Sequence, residues 1–170
     1  MIARPDRSEA AEYYFTYIDQ VGAGDIRDLL EAQLPETLAL LQGIPEDRSL
    51  HRYAPDKWSI RQVVSHLSDC ERLSVFRAFW FARGFDSSLP SFDQSTAMAA
   101  TRPDERSWSS LILEFRSVRA ATLAFFRELS ADAWSRRGIA SDNPFTVRAL
   151  AYITAGHVTH HMAIVKSRYL

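Results

Sequence analysis

The sequence predicts an all-α protein, a four-helix bundle with a long crossover between its second and third long helices. Apolar residues recur at helical spacing in four long segments. Only six glycines occur in 170 residues, and clean two-residue alternation is rare, which argues against a β-rich fold. The second and third segments are separated by about 22 residues, whereas neighbouring antiparallel helices need about 2–8. Such a connection can run the length of a helix, so we expect the third helix to lie parallel to the second.

Composition limits the kind of protein this can be. A length of 170 residues suits one bundle domain, 1–170, with residues 1–23 as an N-terminal extension that packs on the bundle. The net charge of −1 gives no basic footprint, so we expect no nucleic-acid partner. Cys70 is the single cysteine, which excludes an internal disulfide and fits a reducing cytoplasm. Neither a signal-peptide pattern nor an apolar run of about 18 residues occurs, so we expect no membrane association.

The first part of the chain predicts a short helix and then a long one. Residues 9–21 form a short, aromatic-faced segment that ends at a pair of glycines. Asp25 is a plausible N-cap for the first long helix, which keeps its apolar period to Leu41. Pro35 lies inside that pattern, where proline costs about 3 kcal/mol. We therefore expect a kink or a break at Pro35.

The other three long helices follow from their caps and breakers. Ser59 and Gln62 form a capping box, and the helix that they start meets no breaker before Gly84. The connection over residues 84–105 carries two prolines and several serines, and the third helix covers about residues 106–130. A loop punctuated by Gly138 and Asn143-Pro144 precedes the last helix, about residues 146–168.

Three of the five histidines lie in the last helix. His157 and His161 are one turn apart and continue the apolar stripe that contains Leu150. Buried imidazoles need a hydrogen-bond partner or a metal, so the pair is either two satisfied core histidines or part of a metal site. His160 lies on a neighbouring stripe and is a weaker candidate, either beside the site or exposed.

His66 completes a possible third ligand. It lies on the inward stripe of the second helix, well inside that helix, as the other two do in theirs. Three neutral imidazoles on one divalent cation leave coordination positions open, as in catalytic sites. Imidazole ligands suit Zn, Ni or Fe better than Mg or Ca.

Several neighbours of His66 have two interpretations each. Cys70, one turn on, is a further ligand or, more often for a lone cysteine, a small hydrophobe. Asp69 and Glu71 either orient an imidazole or pair with Arg72 or Arg77.

Three more positions near the candidate ligands are equally open. Trp58 either plugs the end of the bundle or contacts substrate. His51 lies at the mouth of the site or is simply solvated. Gly156 allows close approach of a neighbouring helix or of a ligand.

Three stretches together resemble the DinB-like (DinB/YfiT-like) superfamily of metalloenzymes. They are YAPDKWSIRQVVSHLSDCER at residues 53–72, FRA at 76–78 and AGHVTHH at 155–161. The resemblance covers about residues 24–170 and implies a four-helix bundle, commonly a homodimer, with a divalent metal on three histidines. Matched by motif, these are His66, His157 and His161. The family shares only a label with the DNA polymerase of similar name.

The resemblance also implies a range of functions. Relatives include metal-dependent S-transferases that join low-molecular-weight thiols such as bacillithiol or mycothiol to electrophiles, and isomerases that act on thiol adducts. The leading hypothesis is therefore a thiol S-transferase in detoxification or stress response, acting on a small-molecule substrate with the thiol as co-substrate. A metal-dependent hydrolase is a close variant. The sequence also fits a stress protein that binds a metal or small molecule without catalysis, and a bundle whose histidines are merely packed.

Overall fold

Six α-helices and one β-hairpin make up the structure, a computed structural model that describes all of residues 1–170. In chain order these are α1 (Phe15–Ile18), α2 (Ile26–Gln42), α3 (Ile60–Ala82), α4 (Gln94–Thr101), α5 (Trp108–Arg127), β1 (Arg137–Ala140), β2 (Asn143–Thr146) and α6 (Val147–Ile164). Short 3-10 turns join several of them, and a π-helical turn, Val165–Tyr169, follows α6. None of these helices combines the length and apolarity needed to span a lipid bilayer.

The helices α2, α3, α5 and α6 form the bundle. Both α3 and α2 pack against α5 and α6. Arg61 near the start of α3 donates to the carbonyl of Arg106 just before α5, and Phe79 near the end of α3 meets Phe125 near the end of α5. The two helices therefore run parallel. This confirms the predicted four-helix bundle with a crossover between its second and third long helices.

The predicted caps start their helices. Asp25 accepts a hydrogen bond from the amide of Arg27 at 3.0 Å. Ser59 and Gln62 form the reciprocal capping box. Of the kink or break expected at Pro35, the break is wrong, because α2 continues through Pro35 as one helix. Pro35 is exposed, so the carbonyl that its missing N–H leaves free can be hydrated.

Two of the predicted loops contain regular structure that the sequence did not indicate. The crossover contains α4, whose residues QSTAMAAT bury only Met98 and so give no apolar stripe. The hairpin pairs Arg137 with Thr146 through a turn in which Ser141 and Asp142 both have positive φ, 51° and 59°. A Ser-Asp pair is a weaker hairpin signal than Asn-Gly or Asp-Gly, and a proline inside a strand argues against it.

Backbone hydrogen bonds join the crossover to the hairpin. The amide of Leu89 donates to the carbonyl of Ile139 at 3.0 Å, and the amide of Ser141 donates to the carbonyl of Leu89 at 3.1 Å. These bonds place the crossover and the hairpin turn together beside the C-terminal half of α3.

Two apolar clusters form the core. One contains α1, the hairpin, the end of α3 and the start of α6, with Phe81, Phe126, Trp134 and Phe145. The other joins α2, the start of α3, the start of α5 and the end of α6. Between them, His66 and Glu71 on α3 and His157 on α6 form a polar layer across the bundle.

Candidate metal centre

Three imidazoles converge in this polar layer. The Nε2 atom of His157 lies 3.1 Å from Nε2 of His66 and 3.1 Å from Nε2 of His161. One ring nitrogen from each histidine can be chosen so that all three lie within 4.8 Å of one another. The structure therefore brings together all three histidines that the sequence proposed as ligands.

The arrangement fits a cation better than it fits hydrogen bonds alone. A ring nitrogen of neutral histidine carries either one proton or one lone pair. Nε2 of His157 faces two other Nε2 atoms and can make only one good hydrogen bond. Zn–N distances of about 2.0–2.1 Å in tetrahedral geometry separate ligand nitrogens by about 3.3 Å. The observed 3.1 Å is close to that separation.

The electrostatics of the cluster favour neutral imidazoles. Burial lowers the pKa of His66 to about 4, and burial followed by the neighbouring histidines lowers the pKa of His161 to about 3. The pKa of His157 lies well below its ordinary value for the same reasons, burial first. Metal-ligating histidines must be neutral, so the cluster is in the protonation state that a metal requires at neutral pH.

Aromatic rings enclose the cluster. The ring of Trp58 lies against the imidazole of His66, 4.9 Å between centroids, and the ring of Tyr17 meets His157 edge-on at 5.2 Å. Trp58 therefore contacts a candidate ligand directly and does more than fill the end of the bundle. These rings limit the access of bulk water to the imidazoles.

Gly156 allows the N-terminal segment to approach His157 this closely. A Cβ atom at position 156 would lie 2.1 Å from the carbonyl oxygen of Tyr17. The predicted close packing is therefore real, but the neighbour is α1 rather than a bundle helix.

The remaining cysteine and histidines lie outside the cluster. The Sγ atom of Cys70 lies 3.5 Å from Nδ1 and 3.7 Å from Nε2 of His66, so it contacts the ring of one candidate ligand. Burial raises the pKa of Cys70 to about 12, which favours the protonated thiol. His160 contacts Gln20 at 3.3 Å, and His51 packs on Tyr169.

The two acidic neighbours of His66 pair with arginines. Asp69 accepts from Arg72 at 3.2 Å, in agreement with the ion pair that the sequence allowed. For Glu71 the sequence allowed either an imidazole or Arg72 or Arg77 as partner, but the structure shows it accepting two bonds from Arg119 of α5, at 2.7 and 2.8 Å. Arg119 is fully buried, so this pair is a neutral, bidentate unit beside the cluster.

A cavity of about 440 Å³ opens beside His66 and His157. Its walls come from α3, α6, the N-terminal segment, the crossover and the hairpin turn. Three tyrosines of the N-terminal segment line it, Tyr13, Tyr14 and Tyr17. The aromatic face of this segment is visible in the sequence, but its part in the site is not, because the contact depends on where the segment docks.

The fold and the site place this protein among helical bundles that carry a three-histidine cluster beside a cavity large enough for a small molecule. The family model of the DinB superfamily matches residues 29–165, and the chain belongs to that family. This confirms the resemblance drawn from the sequence.

Relatives and solved structures agree with this family. The chain is 29% identical over 158 residues to the "Putative metal-dependent hydrolase" of Geobacillus thermodenitrificans (strain NG80-2), covering 87% of this chain and 86% of that one. YfiT from Bacillus subtilis, described as "a probable metal-dependent hydrolase with an unusual four-helix bundle topology", is similar with a TM-score of 0.73 at 19% identity, over 96% of this chain and 90% of that one.

A second solved structure is similar over part of its length. The mycothiol-dependent maleylpyruvate isomerase has a TM-score of 0.67 at 13% identity, over 81% of this chain and 58% of that chain. At these identities the two structures establish the fold.

Proposed function

We propose that His66, His157 and His161 hold one divalent transition metal, Zn, Ni or Fe, through their Nε2 atoms. The observation that carries this proposal is the convergence of three neutral imidazoles, His66 buried and the other two half-buried, with two of the Nε2–Nε2 separations at 3.1 Å. Three ligands from the protein leave positions for water or substrate, as in catalytic rather than structural sites. The cavity beside His66 and His157 gives a small molecule access to those positions.

The reaction we propose is transfer of a low-molecular-weight thiol to an electrophile. A divalent metal on the three histidines would supply a lowered pKa to a bound thiol. The thiol would lose its proton to solvent, its sulfur would form a bond to an electrophilic carbon, and the leaving group would depart from that carbon with its electron pair. The side chains of this chain orient both reactants and exclude water around them.

The charges that line the cavity support a thiol over water as the nucleophile. Glu71 is held by Arg119, and Asp93 accepts from the amide of Thr96 at 2.7 Å as the cap of α4. Neither carboxylate is free beside the histidines to act as a general base, which a hydrolase commonly uses. Burial raises the pKa of Tyr17, so its phenol stays protonated and can donate but not accept a proton.

A metal-dependent hydrolase is the second candidate, supported by the name of the relative at 29% identity. A stress protein that binds a metal or small molecule without turnover is the third. The hydrolase, and a stress protein that binds the metal, share the proposed metal site with the first candidate and differ from it only in whether and how the cavity supports a reaction.

Elemental analysis of untagged protein, with His161→Ala as a variant, tests the site. We expect about one transition metal per chain, lost in the variant. Turnover is then measured with thiols and electrophiles, and with esters and amides, against His66→Ala as background. Thiol consumption above that background supports the transferase, ester or amide cleavage supports the hydrolase, and metal without turnover supports a binding protein. Absence of metal in both proteins refutes the site.

We further propose that the protein acts in the cytoplasm, in detoxification, as a homodimer. The exposed rings of Phe76, Phe79 and Phe85 near the end of α3 support self-association. Light scattering coupled to size exclusion tests the dimer, and a monomeric mass at micromolar concentration would refute it.

A further inference from the structure

Arg77 is a buried cation in the wall of the cavity. Its side chain is 5% exposed, yet no aspartate or glutamate pairs with it in the structure. Nη2 donates to the carbonyl of Pro90 at 3.1 Å and to Oγ of Ser141 at 2.7 Å. Nε is fully buried and has no acceptor. An arginine this buried normally has a carboxylate partner, because an uncompensated buried charge is costly.

The other charged groups at the cavity do not supply that partner. Glu71 is neutralised by Arg119, and Asp93 is exposed and caps α4. Burial is the main cause that lowers the pKa of Arg77, and only the Tyr14 phenol and the Cys70 thiol oppose it, with no carboxylate among the causes. Arg77 thus gives its end of the cavity a positive charge with no carboxylate partner and, at Nε, an N–H donor with no acceptor.

The position of Arg77 relative to the histidines is fixed by α3. Arg77 follows His66 by eleven residues, which places it about 16 Å further along the helix and only about 20° around it. Both residues line the same cavity. A long arginine side chain leans toward the start of its helix, which shortens the separation. An elongated molecule can therefore reach the imidazoles with one end and Arg77 with the other.

We propose that Arg77 binds a carboxylate at the end of the substrate remote from the three histidines. A carboxylate matches the planar fork of a guanidinium and carries the single negative charge needed to neutralise it. A dianionic phosphate would leave one charge uncompensated in the same buried place. The middle of the cavity, between Leu73, Ile153 and the tyrosines, suits an uncharged linking segment. This inference deepens the proposed function and relies on it for the role of the histidine end.

Straight-chain ω-mercaptoalkanoates and their matched primary amides are the probes. They differ only in whether the remote end is charged. Calorimetric titrations are run on the full-length protein as purified and again after chelator treatment. We expect the carboxylate to bind at least about tenfold more tightly than the amide at the best chain length, with or without metal.

Three variants separate charge recognition from a structural role of Arg77. In Arg77→Gln the carboxylate preference should fall to about one. Arg77→Lys keeps the positive charge but lacks the planar guanidinium. In this variant the carboxylate preference should be reduced while the melting temperature stays unchanged. Ser141→Ala removes the hydrogen bond at 2.7 Å without touching the charge, and it should keep the full preference.

Equal binding of carboxylate and amide, no binding of any carboxylate, or a preference that survives Arg77→Gln would overturn the inference. Loss of the preference in Ser141→Ala to the same extent as in Arg77→Gln would also overturn it, because Arg77 would then act only by holding the loop. If the purified protein lacks metal but still binds the carboxylate more tightly than the amide, the proposed function is refuted and this inference stands. If the protein contains metal but binds carboxylate and amide equally, this inference is refuted and the proposed metal site stands.

Discussion

Acidification should destabilise the metal-free protein well above the pH at which most carboxylates titrate. The pKa of His66 falls from an ordinary 6.5 to about 4 in the folded state. Between these two pH values the unfolded chain binds a proton that the folded chain does not bind. The contribution of His66 to the free energy of unfolding is therefore present in full above pH 6.5 and is lost as the pH falls toward 4. Linkage with these two values gives a loss of about 2 kcal/mol for His66 alone between pH 7 and pH 5. The lowered pKa of His161 adds a loss in the same direction.

Urea unfolding of chelator-treated protein at several pH values between 7 and 5 measures this loss. The matched variant is His66→Gln, which keeps a polar side chain but cannot titrate, and its stability should fall less steeply over the same range. Carboxylates with lowered pKa, such as Glu9 and Asp25, lose their contribution only below about pH 4.5, outside the window. A stability independent of pH from 7 to 5, or an unchanged slope in His66→Gln, would show that the imidazoles are not buried as neutral groups.

Three further substitutions test other features. In Gly156→Ala the added Cβ atom would lie 2.1 Å from the backbone oxygen of Tyr17. We expect thermal unfolding to show about 1–3 kcal/mol of destabilisation. An unchanged melting temperature would contradict the contact. Arg119→Met leaves Glu71 buried without its partner and should cost about 3–5 kcal/mol, largely recovered when Glu71 is also replaced by Met; no recovery in the double variant would refute the pairing. Cys70→Ala should leave the metal content unchanged by elemental analysis, because burial keeps its thiol protonated and its sulfur contacts only His66 among the three histidines. Loss of metal would make Cys70 a ligand.

The parts of the fold that could be predicted are those encoded locally. Asp25 and the Ser59/Gln62 box satisfy free amides at helix starts, so their signal needs no knowledge of the partner helices. The stripes that carry His66, His157 and His161 follow from helix geometry in the same way. Whether the stripe of α3 meets the stripe of α6 depends on how the helices pack in the bundle, and the structure shows that the two stripes meet.

The parts that could not be predicted depend on contacts distant in sequence. The hairpin is stabilised in part by bonds from Leu89 of the crossover, some fifty residues earlier, and its own turn signal is weak. Glu71 pairs with Arg119, 48 residues away, although Arg72 is its neighbour in sequence. Tyr17 reaches His157 because Gly156 removes a side chain from α6. The apolar periodicity of one segment does not indicate which distant segment packs against it.

The order in which the chain is synthesised gives the histidine cluster a further consequence. His66 is made in the first half of the chain, whereas His157 and His161 belong to the last helix. A growing chain that has not yet produced α6 carries one of the three imidazoles and cannot assemble the cluster. Even a complete chain offers only the pair on α6 until that helix packs against α3. An ion that requires all three imidazoles would distinguish finished, folded molecules from nascent ones, so its capture would be the last step of biosynthesis rather than the first.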